Sequence, residues 1–119
     1  MTSTRRVILE DLHVQASIGM LDHERLTRQT LTIRAEFDTD ASRPVDDADI
    51  GTVLDYRLLR AALVEEATGE HVDLLETLAD RTLARILRDF PLVLGVKIRL
   101  CKPHAFDDCT VCIEQARRR

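Results

Sequence analysis

The sequence is poor in aromatic residues and has no excess of positive charge. Its 119 residues include three phenylalanines, one tyrosine and no tryptophan, and 17 lysines and arginines stand against 21 aspartates and glutamates, which gives a formal net charge of −4. A general nucleic-acid-binding function needs a basic surface and is therefore not expected. Residues 116–119 form a short basic segment, which we expect to be a solvated tail.

Long apolar runs are also absent. No stretch approaches the roughly 20 residues needed to span a bilayer, and the first residues are not followed by the apolar core of a signal peptide. We therefore expect a cytoplasmic protein without a membrane partner. The three cysteines, Cys101, Cys109 and Cys112, are odd in number and lie close together, which argues against a disulfide framework, so reduced thiols are expected.

Several catalytic and cofactor motifs are missing. The four glycines are isolated, so no phosphate-binding loop exists, and there is no Gly-x-Ser-x-Gly elbow. Cys109 and Cys112 form a CxxC pattern near Cys101 and His104, and four such ligands could bind zinc. However, residues 109–114 alternate like a strand, on which positions three apart face opposite sides. We expect neither a metal nor another cofactor. The other histidines are expected to be surface or hydrogen-bonding residues: His13, His23 and His71.

Apolar alternation predicts a single domain over residues 1–119 with four strands, at residues 7–18, 30–38, 92–101 and 109–114. In the first strand, Ile8 is expected to share the apolar face with Leu12 and Val14. Residues 38–49 have no period and are predicted to form a loop, and residues 19–27 connect the first two strands.

Two helices are predicted between the second and third strands. The first begins near Asp55 and ends at Gly69, a common C-terminal cap. The second begins at Asp73, which together with Glu76 fits a capping box, and ends before Pro91. The buried stripes are expected to comprise Leu58, Leu59, Ala62, Leu63 and Val64 in the first helix, and Leu74, Leu75, Leu78, Thr82, Leu83 and Ile86 in the second.

The order ββααββ predicts an α+β fold in which an antiparallel four-stranded sheet carries two helices on one face. The first two predicted strands are long for a domain of this size. Long edge strands favour pairing between copies, and a ring of such sheets would close into a barrel without free edges. A homo-oligomer is therefore expected.

Lys102 breaks the pattern of the third-strand region. Val96, Ile98 and Leu100 occupy alternate positions, so strict alternation directs Lys102 to the apolar face as well. Such a lysine either ends the strand with its ammonium in water or takes part in proton transfer. Periodicity alone favours the strand end. The other residues with candidate chemistry are Tyr56, Glu24 and Glu76.

Five segments in succession resemble the motifs of the dihydroneopterin aldolase family. They are the segment at 18–25 (Ile-Gly-Met-Leu-Asp-His-Glu-Arg), Gln29, the Leu-Asp-Tyr at 54–56, the Leu-Leu-Glu-Thr-Leu-Ala at 74–79, and Lys102-Pro103. The resemblance implies the tunnelling fold, in which four subunits close a barrel and two rings stack into an octamer. It also implies retro-aldol cleavage of 7,8-dihydroneopterin in folate biosynthesis, at sites between neighbouring subunits.

The resemblance also implies the site residues. Lys102, Tyr56 and Glu24 would be catalytic: Lys102 and Tyr56 as proton-transfer groups, and Glu24 as the group that holds the hydroxylated side chain. Glu76 would bind the pterin ring through a pair of hydrogen bonds. The slot would be completed by backbone groups around Leu54, Asp55 and Leu75.

Two departures from the family pattern leave alternatives open. Ile18 replaces a histidine common before the motif glycine, and the segment after Lys102 is short. Residues 102–106 partly resemble the related dihydroneopterin triphosphate epimerases, so an epimerase is the first alternative, although the segments at 22–25 and 75–79 favour an aldolase. A pterin-binding oligomer without turnover is the second alternative.

Overall fold

The computed structural model describes residues 3–119. In these residues four antiparallel strands pair in the order β1 (Thr4–Ala16), β2 (Gln29–Asp40), β3 (Gly95–Lys102) and β4 (Val111–Arg118). The helices are α1 (Asp22–Leu26), α2 (Tyr56–Thr68) and α3 (Leu75–Asp89), with a 3₁₀ turn at Ile50–Thr52. The two long helices pack together, α2 against β1 and α3 against β3 and β4. The predicted α+β fold class is confirmed.

The core lies between the sheet and the two long helices. On β2, Leu31, Ile33, Ala35 and Phe37 are at most 2% exposed, as the alternation predicts. Cross-strand pairing places Ile33 opposite Leu100 and Ala35 opposite Ile98, so β2 and β3 share one apolar layer. Burial of each large apolar side chain contributes roughly 1.5–3 kcal/mol, which fixes the register and therefore the direction in which each strand-end side chain points.

A bulge in β1 changes the face of the sheet on which the first residues of the predicted strand lie. Asp11 has a φ of +52°, and the pairing with β2 shifts between Leu9 and Leu12. The extra residue moves Leu9 onto the helix-covered face together with Leu12, whereas Ile8 lies opposite Glu36 and is 42% exposed. The prediction that Ile8 shares a face with Leu12 is therefore wrong.

The predicted start and end of α2 are close to those observed. Asp55 is the N-cap, its carboxylate accepting the Arg57 amide at 3.0 Å, and Gly69 follows the last turn. Within the predicted stripe, Leu59 and Leu63 are buried, but Leu58 is 57% exposed. Leu58 lies in the first turn of the helix, on the side that faces away from the sheet.

The capping box predicted for α3 is wrong. The helix starts at Leu75 with Leu74 as an N-cap that makes no side-chain hydrogen bond, and Leu74 is 49% exposed. Asp73 instead accepts a hydrogen bond from Arg25 at 3.0 Å. Val72 forms a bridge with Ile18, and this pairing keeps the chain extended up to the helix. The short helix α1 in the connection at residues 19–27 was not predicted.

The basic segment at residues 116–119 is part of the fold, so its prediction as a solvated tail is wrong. Arg118 belongs to β4 and donates to Asp38 at 2.9 Å. The guanidinium of Arg119 donates to the carbonyls of Val93, Leu87 and Phe90. Because the last carbonyls of a helix lack partners within it, Arg119 satisfies groups at the end of α3.

Cys101 and Cys112 form a disulfide, which contradicts the expectation of reduced thiols. They are directly opposite each other on β3 and β4, with Cα atoms 4.1 Å apart. The odd cysteine count could not reveal this pair, because it depends on the register between two strands. Cys109 is free and exposed.

Candidate functional site

Lys102 lies at the end of β3 on the helix-covered face, the side that the alternation predicts. Its Nζ donates to Oε2 of Glu24 at 2.8 Å, and the two side chains are only 15% and 11% exposed. The sequence separation is 78 residues, so the pair exists only because the first connection folds over the end of the sheet. The ammonium therefore does not extend freely into water, as a simple strand-end lysine would.

Three donors surround the Glu24 carboxylate. Besides Lys102, the Gln29 amide donates to Oε2 at 2.8 Å and the Leu21 backbone N–H donates to Oε1 at 3.2 Å. Gln29 also donates to the Ile18 carbonyl at 2.7 Å, which fixes its amide against the loop. Burial alone would raise the pKa of Glu24, but the hydrogen bonds from Lys102, Gln29 and Leu21 outweigh it and lower the pKa to about 2. At neutral pH the site therefore holds a carboxylate that accepts a hydrogen bond from the Lys102 side chain.

Gly19 is required where Glu24 folds back. Its φ is +126°, a conformation that side chains disfavour, and a Cβ there would overlap the carboxylate of Glu24. The motif glycine thus provides the space in which the acid lies beside Lys102.

A cleft of about 650 Å³ opens in front of this pair. One wall is the start of α3, where Leu75 is buried and Glu76 is exposed to the cleft. The opposite wall is the segment after Lys102, with His104 and Phe106. Lys102, Glu24, Leu75 and Glu76 are therefore brought together. Among residues 3–119, no cluster of three or more histidine, cysteine or acidic side chains is arranged to hold a metal ion.

Comparison with known proteins identifies the family of this chain. A model of the dihydroneopterin aldolase family (FolB) matches residues 7–114. A dihydroneopterin aldolase of Streptomyces coelicolor is 31% identical over 94% of this chain and 98% of its own length. The chain belongs to the dihydroneopterin aldolase family.

Two further relatives show the range of this family. The crystal structure of Escherichia coli dihydroneopterin aldolase in complex with neopterin matches with a TM-score of 0.87 at 26% identity, covering 95% of this chain and 98% of that one. A dihydroneopterin triphosphate 2′-epimerase of Pseudomonas aeruginosa is 27% identical over 84% of this chain and 80% of its own length. The relatives of this chain thus include both an aldolase and an epimerase.

The third motif of the dihydroneopterin aldolase family lies elsewhere in the chain. Leu54 is 7% exposed and lines a second cavity of about 230 Å³, together with Arg43 and Leu92. Asp55 caps α2 and pairs with Arg57, a hydrogen bond that lowers the pKa of Asp55. Tyr56 is 62% exposed at the first residue of α2. None of the three predicted residues Leu54, Asp55 and Tyr56 lines the cleft of Lys102 within the described residues.

Some residues of the cleft were not predicted from sequence as site residues. Gln29 appeared only as part of a motif, and its contact with Glu24 identifies it as a structural part of the site. His104 and Phe106 belong to the segment after Lys102, which was compared with the epimerases but not predicted to line the site. No membrane-spanning helix occurs in the part of the chain that the structure describes.

Proposed function

We propose that this protein is a dihydroneopterin aldolase, which cleaves 7,8-dihydroneopterin into 6-hydroxymethyl-7,8-dihydropterin and glycolaldehyde. The observation that carries the proposal is the 2.8 Å pair between Lys102 and Glu24 in a cleft that also holds Glu76. Membership of the dihydroneopterin aldolase family supports the same reaction. The cleft of about 650 Å³ lies within the range of about 300–1,000 Å³ that is typical of small-molecule sites. It therefore has room for a bicyclic ring with a short side chain.

The cleavage needs an acceptor for one electron pair. A base removes the proton of the 2′-hydroxyl, the C1′–C2′ bond breaks, and glycolaldehyde leaves with its new carbonyl. The electron pair moves through C6 to N5 of the dihydropterin, where a proton is added. The resulting enol-like intermediate then gains a proton at C1′ and loses the one at N5. The C=N bond of the substrate is the electron sink, so the reaction requires no lysine Schiff base and no cofactor.

The protein therefore supplies proton transfer and positioning. Lys102 moves protons between the side-chain hydroxyl and N5, directly or through a water molecule. Glu24, ionised and held by three donors, binds the hydroxylated side chain and orients the ammonium. Glu76 accepts the ring N3–H and the 2-amino group with its two oxygens, and the backbone at Leu75 completes this wall.

Tyr56 completes the site from a neighbouring subunit in this proposal, together with Leu54 and Asp55. Two features support a homo-oligomer, either a tetrameric ring or an octamer. The three residues lie outside the cleft of their own chain, and β1 and β4, with 13 and 8 residues, are the edge strands of the sheet within the described residues. Sedimentation gives the subunit number. Mixing inactive Lys102→Ala and Tyr56→Phe subunits should restore activity, because some sites would then receive both native residues.

The decisive experiment follows glycolaldehyde release from 7,8-dihydroneopterin. Lys102→Ala is expected to lower kcat by about 10²–10⁴-fold, the usual contribution of an acid–base group. The chain has only two lysines, so Lys97→Ala on the opposite face of β3 is the matched control and should stay active. Failure of the wild-type protein to release glycolaldehyde would overturn the proposal.

An epimerase is the second candidate, because the Pseudomonas aeruginosa relative carries that activity in its name. An epimerase breaks and remakes the same bond without losing glycolaldehyde. Incubation with dihydroneopterin triphosphate separates the two, since epimer formation without glycolaldehyde from either substrate favours the epimerase. Tight pterin binding with neither product would instead favour the non-catalytic oligomer.

A cytoplasmic location is also part of the proposal, and it bears on the Cys101–Cys112 disulfide. Reducing compartments keep such pairs open, whereas oxidising ones close them. Alkylation of the protein in freshly lysed cells, followed by mass spectrometry, reports the state of both thiols. In the cytoplasm the two thiols should be open in the cell and close into this disulfide only on oxidation, whereas a pair already closed before lysis would contradict the proposed location.

A further inference from the structure

Two extended segments meet beside the Glu24 loop. Residues 17–19 lead into that loop, and residues 71–73 lead into α3 with Glu76. Ile18 and Val72 form a parallel bridge, in which the Gly19 N–H donates to the Val72 carbonyl at 3.0 Å and the Val72 N–H donates to the Ser17 carbonyl at 3.3 Å. The two halves of the cleft are thus joined through this contact.

His71 adds two side-chain contacts to the bridge. Its Nδ1 lies 2.7 Å from the Ser17 hydroxyl oxygen and its Nε2 lies 2.9 Å from the Gly19 carbonyl oxygen. A carbonyl only accepts, so Nε2 carries a hydrogen, and in the neutral ring the Ser17 hydroxyl donates to Nδ1. The ring is 26% exposed, and Asp73 lies 3.4 Å from Nε2. Both ring nitrogens are therefore engaged within the protein.

The orientation of the loop that holds Glu24 depends on the peptide that carries the Gly19 carbonyl. Gly19 has a φ of +126° and no Cβ, so its own side chain does not restrict the peptide that follows it. The next residues, Met20 and Leu21, are exposed, yet the Leu21 N–H is one of the donors that hold Glu24. The contact from His71 thus fixes the peptide that leads to this donor.

We propose that His71 is a positioning residue, which fixes the Gly19 peptide so that Glu24 and Lys102 stay at the correct distance from Glu76. This inference rests on the proposed function, in which Glu76 holds the ring and Glu24 holds the side chain of one substrate. Loss of His71 should therefore spare ring binding and impair both side-chain binding and turnover.

Two ligands with the same ring test this prediction. Neopterin carries the hydroxylated side chain and unsubstituted pterin does not, so the ratio of their Kd values measures the side-chain contribution. In His71→Ala that ratio should fall toward one, while the Kd of pterin stays within about twofold of wild type. The kcat with 7,8-dihydroneopterin should drop by about tenfold or more, since small misplacements of this kind have large effects on rate.

Two conservative variants distinguish the two contacts of the ring. His71→Gln retains a donor near the Nε2 position for the Gly19 carbonyl and should recover most of the side-chain contribution. His71→Asn retains a group near Nδ1 for Ser17 only and should not. Glu70→Ala, an exposed neighbour in the same connection, is the matched control and should behave like wild type.

The outcomes separate this inference from the proposed function. Equal weakening of pterin and neopterin, or recovery by His71→Asn rather than His71→Gln, would overturn the positioning role. An unchanged Kd ratio in His71→Ala would do the same. The ratio is measured without turnover, so it remains informative even if the wild-type protein releases no glycolaldehyde. Should His71→Ala not fold, the comparison of the glutamine and asparagine variants decides the matter.

Discussion

Glu24 and Asp38 are both carboxylates with little exposure that pair with cations, but their partners differ. Asp38, on the open face of the sheet, accepts from Arg6 at 2.7 Å and from Arg118 at 2.9 Å. Glu24, at the other end of β2, accepts from Lys102, an amide and a backbone N–H. Arginine does not release its proton at accessible pH, whereas lysine can. The Asp38 cluster can therefore only bind the strands together, while the Glu24 cluster can also move a proton.

Lys102→Arg tests this difference most directly, because it gives Glu24 the kind of partner that Asp38 has. The charge and the ion pair are retained, but the guanidinium cannot give up a proton. We expect kcat to fall by about 10²-fold or more, with the melting temperature and pterin affinity close to wild type. Stopped-flow or steady-state assays of glycolaldehyde release measure the effect. Substantial turnover in this variant would contradict proton transfer by Lys102.

Gly19→Ala should remove the space that the Glu24 carboxylate occupies. The added Cβ overlaps the carboxylate and is placed at a φ of +126°. We expect a loss of about 1–3 kcal/mol in stability from the strained backbone, and a loss of activity similar to that of Glu24→Ala. Gly51→Ala, whose Cβ would lie 3.1 Å from the nearest side-chain atom, is the control on a loop outside the cleft. A fully active Gly19→Ala protein would mean that Glu24 does not need this position.

Acid should weaken both clusters, and the sign follows from the pKa values. The pKa of Glu24 is lowered from 4.5 to about 2, so its contribution is complete above pH 4.5 and is lost as the pH falls toward 2. The lost stability is on the order of 2–3 kcal/mol. Melting temperatures between pH 7 and pH 3 should therefore fall less steeply for Glu24→Gln than for wild type. Parallel curves would show that Glu24 is not ionised in the folded protein at low pH.

Asp38→Asn should have the smallest effect on function. Hydrogen bonds from Arg6 outweigh burial and lower the pKa of Asp38, with a further contribution from Arg118. Loss of the charge should destabilise the protein by about 1–3 kcal/mol, and kcat/KM should stay within about twofold of wild type. Thermal unfolding at one fixed protein concentration and the glycolaldehyde assay measure the two quantities. A large loss of activity without loss of stability would give the open face of the sheet an unexpected role in catalysis.

Local periodicity was sufficient to predict the fold class and the face of β3 on which Lys102 lies. The alternation of β2 and β3 reflects burial of every second side chain, which is a property of single strands. The bulge at Asp11 and the disulfide between Cys101 and Cys112 depend on how two strands pair. Neither can therefore be predicted from the pattern of a single segment.

The site was less predictable, because its contacts join distant segments. The family motifs identified Lys102, Glu24 and Glu76, but nothing in the local pattern pairs His71 with Ser17 across 54 residues. Tyr56 was predicted for the same site, and the single chain places it outside the cleft. In the proposed function its role depends on a second copy, which is a question of assembly rather than of the folding of one chain.

When it is closed, the disulfide between β3 and β4 joins the two ends of the cleft wall. Cys101 directly precedes Lys102 and Cys112 directly follows Val111, so the residues between them form a covalently closed loop. Changes in the length or sequence of this loop would leave both of its anchors in place. The wall at residues 103–110 could therefore diverge during evolution, or be exchanged by design, without moving Lys102 at its base.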